Sequence, residues 1–381
     1  MTNRPMSMSQ SQSQSMSPSP SSAGATAPSD PPAAHAEPSV AHADRSVVAA
    51  DDESRSPSTG GPMLLSRVAE AVYWTGRYLE RAEATARLLK VHTELFLDLP
   101  KSAGVDWEPL LLVTGGTEAF RDLYREPGEE DVVAFLGIDA RNPDSILGSL
   151  DRARTNMRTA RFLFPRELCE GLNNQYLLAV EECEEAVPRR SRMRWLDSIV
   201  AECQRMSGII SGAMNHDEVY AFLRIGRLVE RADMTTRVLD VCAATFFHSE
   251  DQLRPYADVT WMSVLKSLSA YHTYRRHVQT RVRGADAMAF LLRDPQFPRS
   301  VEHCLIEISR SLIELPRHDE PLRVCAEAET MVSDVKIQSL AWEGLHRYAD
   351  QLQQQLGVLH LCLEEQYFAV EAHAPSELAT A

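Results

Sequence analysis

The sequence predicts an all-α protein of two internally duplicated helical bundles packed about a pseudo-two-fold axis. Three observations carry this. Apolar residues recur at helical spacing from Met63 to about residue 371. No alternating apolar run flanked by turn residues calls for a strand. Three segments also recur in the same order, about 150 residues apart.

Residues 1–62 are Ser, Gln, Pro and Ala with almost no large apolar side chain. Such a segment buries too little surface to offset its ordering entropy, so a disordered tail is expected there. It ends at Gly61-Pro62, and the change at Met63 is abrupt enough for Met63 to be the start of translation. N-terminal sequencing of the native protein decides that point. A disordered C-terminus is expected over 372–381, which leaves 63–371 as the helical domain, with halves at about 66–215 and 216–371.

The first helix, MLLSRVAEAVYWTGRYLERAEATARLLKVHTELFLDL, places Val68, Val72, Leu79, Ala82, Ala86 and Leu89 on one stripe. Further helices are expected near 105–125, 129–138, 143–163, 165–187, 190–213, 217–247, 256–283, 284–293, 298–314, 320–333 and 335–371. Prolines sit at the boundaries: Pro100, Pro127, Pro143, Pro165, Pro188, Pro255, Pro295, Pro298, Pro316 and Pro321.

GRYLERAEATARLLKV (76–91) returns as GRLVERADMTTRVLDV (226–241), an offset of 150. Trp107 and Trp261 match at 154, and AFLGIDARNPDSILGSL (134–150) parallels AFLLRDPQFPRSVEHCL (289–305) at 155. Three ordered matches with small drift imply duplication, and the period is too long for a solenoid repeat. On a helix, Arg77, Glu80, Ala84 and Arg87 share a face, and Arg227, Glu230, Met234 and Arg237 share the equivalent one. Guanidinium forks beside carboxylates suit a partly buried ion network. Exposed pairs of this kind contribute only about 0.3–0.5 kcal/mol each. Their repetition points instead to a structural or recognition role, with an interface or anion-binding groove on the axis as the sharper expectation. Glu80→Gln would then damage function more than folding.

At these residues the chain resembles the bacterial alpha-E family, a helical domain of undetermined function with a Glu-Arg motif. The resemblance spans roughly 63–371 and rests on MLLSRVAEAVYWTGRYLERAEATARLL, IGRLVERADMTTRVLD and FLLRDPQFPRSV. The motif residues are Glu80-Arg81 and, as a second copy, Glu230-Arg231. Members look like companions of circularly permuted ATP-grasp ligases and of transglutaminase-like peptidases. The resemblance thus implies a peptide or amide-bond synthesis and modification system, with no catalytic role for the motif.

Composition narrows the alternatives. With 39 basic against 54 acidic residues the formal charge is −15, so nucleic acid is a poor default partner. No apolar run approaches the roughly 18 residues of a membrane span, and no secretory leader is read, so a cytoplasmic protein is expected. The seven cysteines (Cys169, Cys183, Cys203, Cys242, Cys304, Cys325, Cys362) have no metal or disulfide spacing and read as buried reduced thiols. No cofactor and no metal are expected. Gly115-Gly116 is no phosphate loop, and Glu343/His346 is a lone Glu-x-x-His pair. His216-Asp217 and His318-Asp319 lie at helix starts, where Asn215, Asp217 and Asp319 serve as caps or favour the dipole.

The run YHTYRRHVQTRVRG (271–284) has two open readings. Tyr274, Arg275, Arg276, Arg281 and Arg283 form either an anion or partner patch or a helix C-terminus whose cations complement the dipole before Gly284. The functional expectation is a non-catalytic helical accessory or scaffold protein working with an ATP-grasp-type amide ligase. The rival is a helical enzyme or substrate carrier with a site between the halves made of Arg77, Glu80, Arg227 and Glu230. A third is a structural protein acting as a homo-oligomer.

Overall fold

The computed structural model describes residues 64–100, 103–248, 256–278, 281–337 and 342–369. The expected tail and the segment 372–381 lie outside them. Among the described residues there are fourteen α-helices and no strand. They are α1 (Ser66–Asp98), α2 (Glu108–Thr114), α3 (Thr117–Leu123), α4 (Glu129–Gly137), α5 (Ile146–Thr159), α6 (Arg166–Glu181) and α7 (Arg189–Ala213). There follow α8 (Glu218–His248), α9 (Ala257–Ser267), α10 (Tyr271–His277), α11 (Gly284–Arg293), α12 (Val301–Ile313), α13 (Asp319–Asp334) and α14 (Trp342–Leu363).

Several boundaries have local causes. The hydroxyls of Ser145 and Ser300 accept from the Gly148 and His303 amides, both at 3.1 Å, and so cap α5 and α12. The segment expected as one helix over 105–125 is two, because Gly115 turns left-handed at φ +69° and closes α2. The expected helix 256–283 is also two. Ser269 adopts φ +55°, which ends α9, and α10 begins at Tyr271.

α1 is buried over much more of its surface than a single stripe. Val72, Tyr73, Ala82, Ala86 and Leu89 have no exposed surface, and neither has Thr75. Thr75 and Thr93 fit this setting because their hydroxyls donate to the Ala71 and Leu89 carbonyls, each at 2.7 Å. α1 packs most extensively on α8, and α5, α7 and α9 surround it further. α8 in turn carries α12, α14 and α2. α6 bridges α5 and α7, while α13 bridges α12 and α14.

The α1–α8 contact is a backbone contact. A Cβ on Gly76 would lie 2.3 Å from the Leu223 carbonyl oxygen, and one on Gly226 would lie 2.1 Å from that of Tyr73. Only glycine permits helices this close. Contacts ascend together along both helices, from Leu64 with Glu218 to Glu80 with Arg231, so α1 and α8 run parallel. Gly76→Ala and Gly226→Ala are each expected to lower the unfolding free energy by about 3 kcal/mol. Gly208, whose Cβ would meet nothing within 4 Å, is the control. Urea unfolding of Gly208→Ala should show no loss of stability.

Candidate functional site

Just beyond the glycine contact, each helix sends a glutamate to the other. Arg77 Nε donates to Glu230 at 2.7 Å, and Arg81 binds it through Nε at 2.6 Å and Nη2 at 3.1 Å. In the opposite sense, Arg231 grips Glu80 through Nε at 2.9 Å and Nη2 at 2.7 Å, and Arg227 Nη2 lies 3.4 Å away. The Glu80 and Glu230 side chains are 0% and 2% exposed. These partners of each glutamate come from the other helix, not from neighbours along its own.

Arg87 and Arg237 do not join these cross-helix pairs. Arg87 binds Glu83 and Arg237 binds Asp233, each one turn back on its own helix. Their reach is set by side-chain direction: a helical side chain leans toward the N-terminus and meets the residue four before it. Three further residues complete the cluster. Arg299 donates to Glu80 at 2.6 Å and to Glu83 at 2.9 Å. Asp144 accepts from Arg81 at 2.5 Å, and Ser207 accepts from Arg227 at 2.6 Å. Asp144 and Arg299 occupy the same place in the third repeated segment, between the matched prolines and serines. Matching by identity passes over them because one is an acid and the other a base.

Burial alone would raise both carboxyls. At Glu80 the guanidinium groups of Arg231, Arg299 and Arg227 outweigh it and hold the group well below its ordinary 4.5. At Glu230 burial is outweighed by Arg81 and Arg77, which bring it down to about 2. Arg77 also donates to the Tyr73 hydroxyl at 3.2 Å, and that hydroxyl lies 3.0 Å from His360 Nδ1. Burial, with the Arg77 charge beside it, lowers His360 to about 4, so the imidazole is neutral at pH 7.

The run 271–284 is dispersed. Tyr274 is fully buried, edge-on to Phe290 at 5.6 Å, and is no part of a surface patch. Its place on α10 puts it one turn from the inward-facing Ala270. Arg275 and Arg276 are exposed in the last turn of α10, where cations complement the dipole. Arg281 pairs with Asp258, and Arg283 stands immediately before α11. Gly284 opens that helix and does not close the preceding one. Residues 279 and 280 lie outside the described residues.

Elsewhere, Asp217 Oδ1 accepts from the Val219 and Tyr220 amides at 3.0 and 3.3 Å and caps α8. Asp319 lies in the first turn of α13 without capping it. His346 pairs with Asp240, while the Glu343 side chain lies outside the described residues. Among the described residues no group of three or more His, Cys, Asp or Glu is placed to hold a metal, and no helix is long and apolar enough to cross a membrane. All seven cysteines are free: Cys203, Cys242, Cys304 and Cys325 are buried, the other three half-buried. Burial pushes the Cys304 and Cys325 thiols up to about 12, far from a nucleophile's range.

Residues 64–368 match a family model described as a predicted alpha-helical domain with a conserved ER motif. The chain belongs to the alpha-E family. This chain has Glu-Arg pairs at Glu80-Arg81 and Glu230-Arg231, and they form the center of the cross-helix clamp. Uncharacterized proteins of Mycobacterium bovis and Mycobacterium tuberculosis are 25% identical over 276 residues, 66% of this alpha-E chain. The match spans 30% of each relative's length, so those proteins are much longer. No solved structure matches the chain.

Two outcomes follow from the clamp. The sealed pairs replace the expectation that Glu80→Gln harms function more than folding. Glu80→Gln and Glu230→Gln each leave buried guanidinium groups without their carboxylate, so denaturant unfolding should show losses of about 3–5 kcal/mol. Both carboxyls ionise more readily folded than unfolded. The stability they contribute is therefore complete above pH 4.5 and lost as acid protonates them, down toward pH 2 for Glu230. A melting-temperature series from pH 6 to pH 2.5 checks this, with Glu230→Gln expected to flatten the acid limb.

Proposed function

We propose that this alpha-E chain is a non-catalytic helical accessory or scaffold protein acting with an ATP-grasp-type amide ligase in a peptide synthesis or modification system. Its clamp is the center of that scaffold. One observation carries the reading: the motif glutamates are sealed and spent on arginines. A general acid, base or ligand-binding carboxylate has to reach a substrate, and these do not. The rival, an enzyme centered on Arg77, Glu80, Arg227 and Glu230, needs the same groups open. The far greater length of the mycobacterial relatives fits a domain that works beside other modules.

The same proposal takes the chain as two copies of one helical unit about a pseudo-two-fold axis. Arg77 reaches Glu230 while Arg227 reaches Glu80, and Gly76 and Gly226 each abut the carbonyl three residues before the other. α1 with α5, α6 and α7 has its counterpart in α8 with α12, α13 and α14. α2 packs on α8 as α9 packs on α1. Cytoplasmic residence, a transglutaminase-like peptidase as a further companion, and self-association belong to this proposal.

Affinity purification of the native protein tests the reading. A ligase is expected to co-purify, and its ATP turnover should fall when this chain is removed and return when it is added back. Turnover indifferent to the chain, or an amide-forming activity in the isolated chain, overturns the proposal.

A further inference from the structure

A cavity of about 360 Å³ opens between α5 and α6, and none of the clamp residues lines it. Its floor is apolar, with Met157 and Leu172 at 3% and 1% exposure. Its rim is cationic. Arg154 and Arg158 stand four residues apart on one edge of α5, and the 3₁₀ turn after it adds Arg161. Like charges at that spacing repel on a helix, so the free protein gains nothing by gathering them.

The three arginines are not equivalent. Arg154 is held in place: its Nε donates to Asn173 Oδ1 at 2.8 Å, and its guanidinium lies 5.0 Å over the Tyr176 ring. Its Nη1 also forms a long ion pair with Asp151 at 3.7 Å, without a hydrogen bond. Arg158 and Arg161 are exposed and engage no carboxylate among the described residues. The acid on the rim, Glu170, is already taken by Arg166 at 2.6 Å. The site thus presents one fixed guanidinium and two unspent ones, a local excess of positive charge in a chain whose formal charge is −15.

We propose that this cavity binds a small phosphorylated molecule. Its phosphoryl oxygens would meet Arg154, Arg158 and Arg161, and its organic part the Met157/Leu172 floor. A tetrahedral dianion offers enough oxygens and charge for three planar forks, whereas a single carboxylate fills only one. The Asn173 and Asn174 amides supply neutral donors at the same rim. This site is independent of the accessory role proposed above.

Calorimetric titration of the full chain with inorganic phosphate and with pyrophosphate, at constant ionic strength, tests the assignment. Saturable one-to-one binding is expected, pyrophosphate being the tighter probe. The Arg158→Gln/Arg161→Gln double variant should bind at least tenfold more weakly with an unchanged melting temperature, since both side chains are exposed. Arg323→Gln, which removes an exposed arginine paired with Glu320 and Glu327, should bind like the parent. Three results overturn the proposal: no saturable signal beyond that of chloride, equal affinity in the double variant, or citrate binding more tightly than either phosphate.

Discussion

The structure depends on one contact: two helices brought backbone to backbone at Gly76 and Gly226, with buried carboxylates exchanged just beyond. The glycines set the distance. The arginine–glutamate pairs set the register, since sliding α8 along α1 would strand two buried carboxylates among apolar side chains. Burying such charges need not add net stability over well-packed apolar residues, but half-made pairs are strongly disfavoured. The clamp therefore acts mainly by excluding other crossings. α5 and α7 settle on α1, and α12 and α14 on α8, around a pair whose geometry is already determined.

Much of the fold was legible because helices leave local marks. Pro143, Pro188 and Pro298 place the starts of α5, α7 and α12 to within a few residues. What failed to show was the break after α9, where Ser269 turns left-handed without a glycine or asparagine to announce it. The stripe on α1 was also misleading in extent. Apolar periodicity marks one packed face, whereas a central helix rich in Ala and Thr is packed on several without looking more apolar.

The site was half legible. Repetition singled out Arg77, Glu80, Arg227 and Glu230, yet sequence spacing offers partners only along the same helix, and the pairs that form span about 150 residues. Tyr274 was drawn into the cationic run by adjacency, though its ring faces the core. The most informative residues, Asp144 and Arg299, differ in charge between otherwise matching segments. Glu80 accordingly sits among Arg227, Arg231 and Arg299, while the Arg81 that serves Glu230 is shared with an acid. The two ends of the clamp are therefore electrostatically unequal.

The parallel run of α1 and α8 bears on how the molecule is made. Glu80 is translated 147 residues before Arg227, 151 before Arg231 and 219 before Arg299. Until then the nascent α1 carries a carboxylate destined for the interior with none of its cross-helix counterions yet synthesised. The Glu80 end of the clamp can therefore close only once Arg227, Arg231 and Arg299 have been made, which places these long-range contacts late in synthesis.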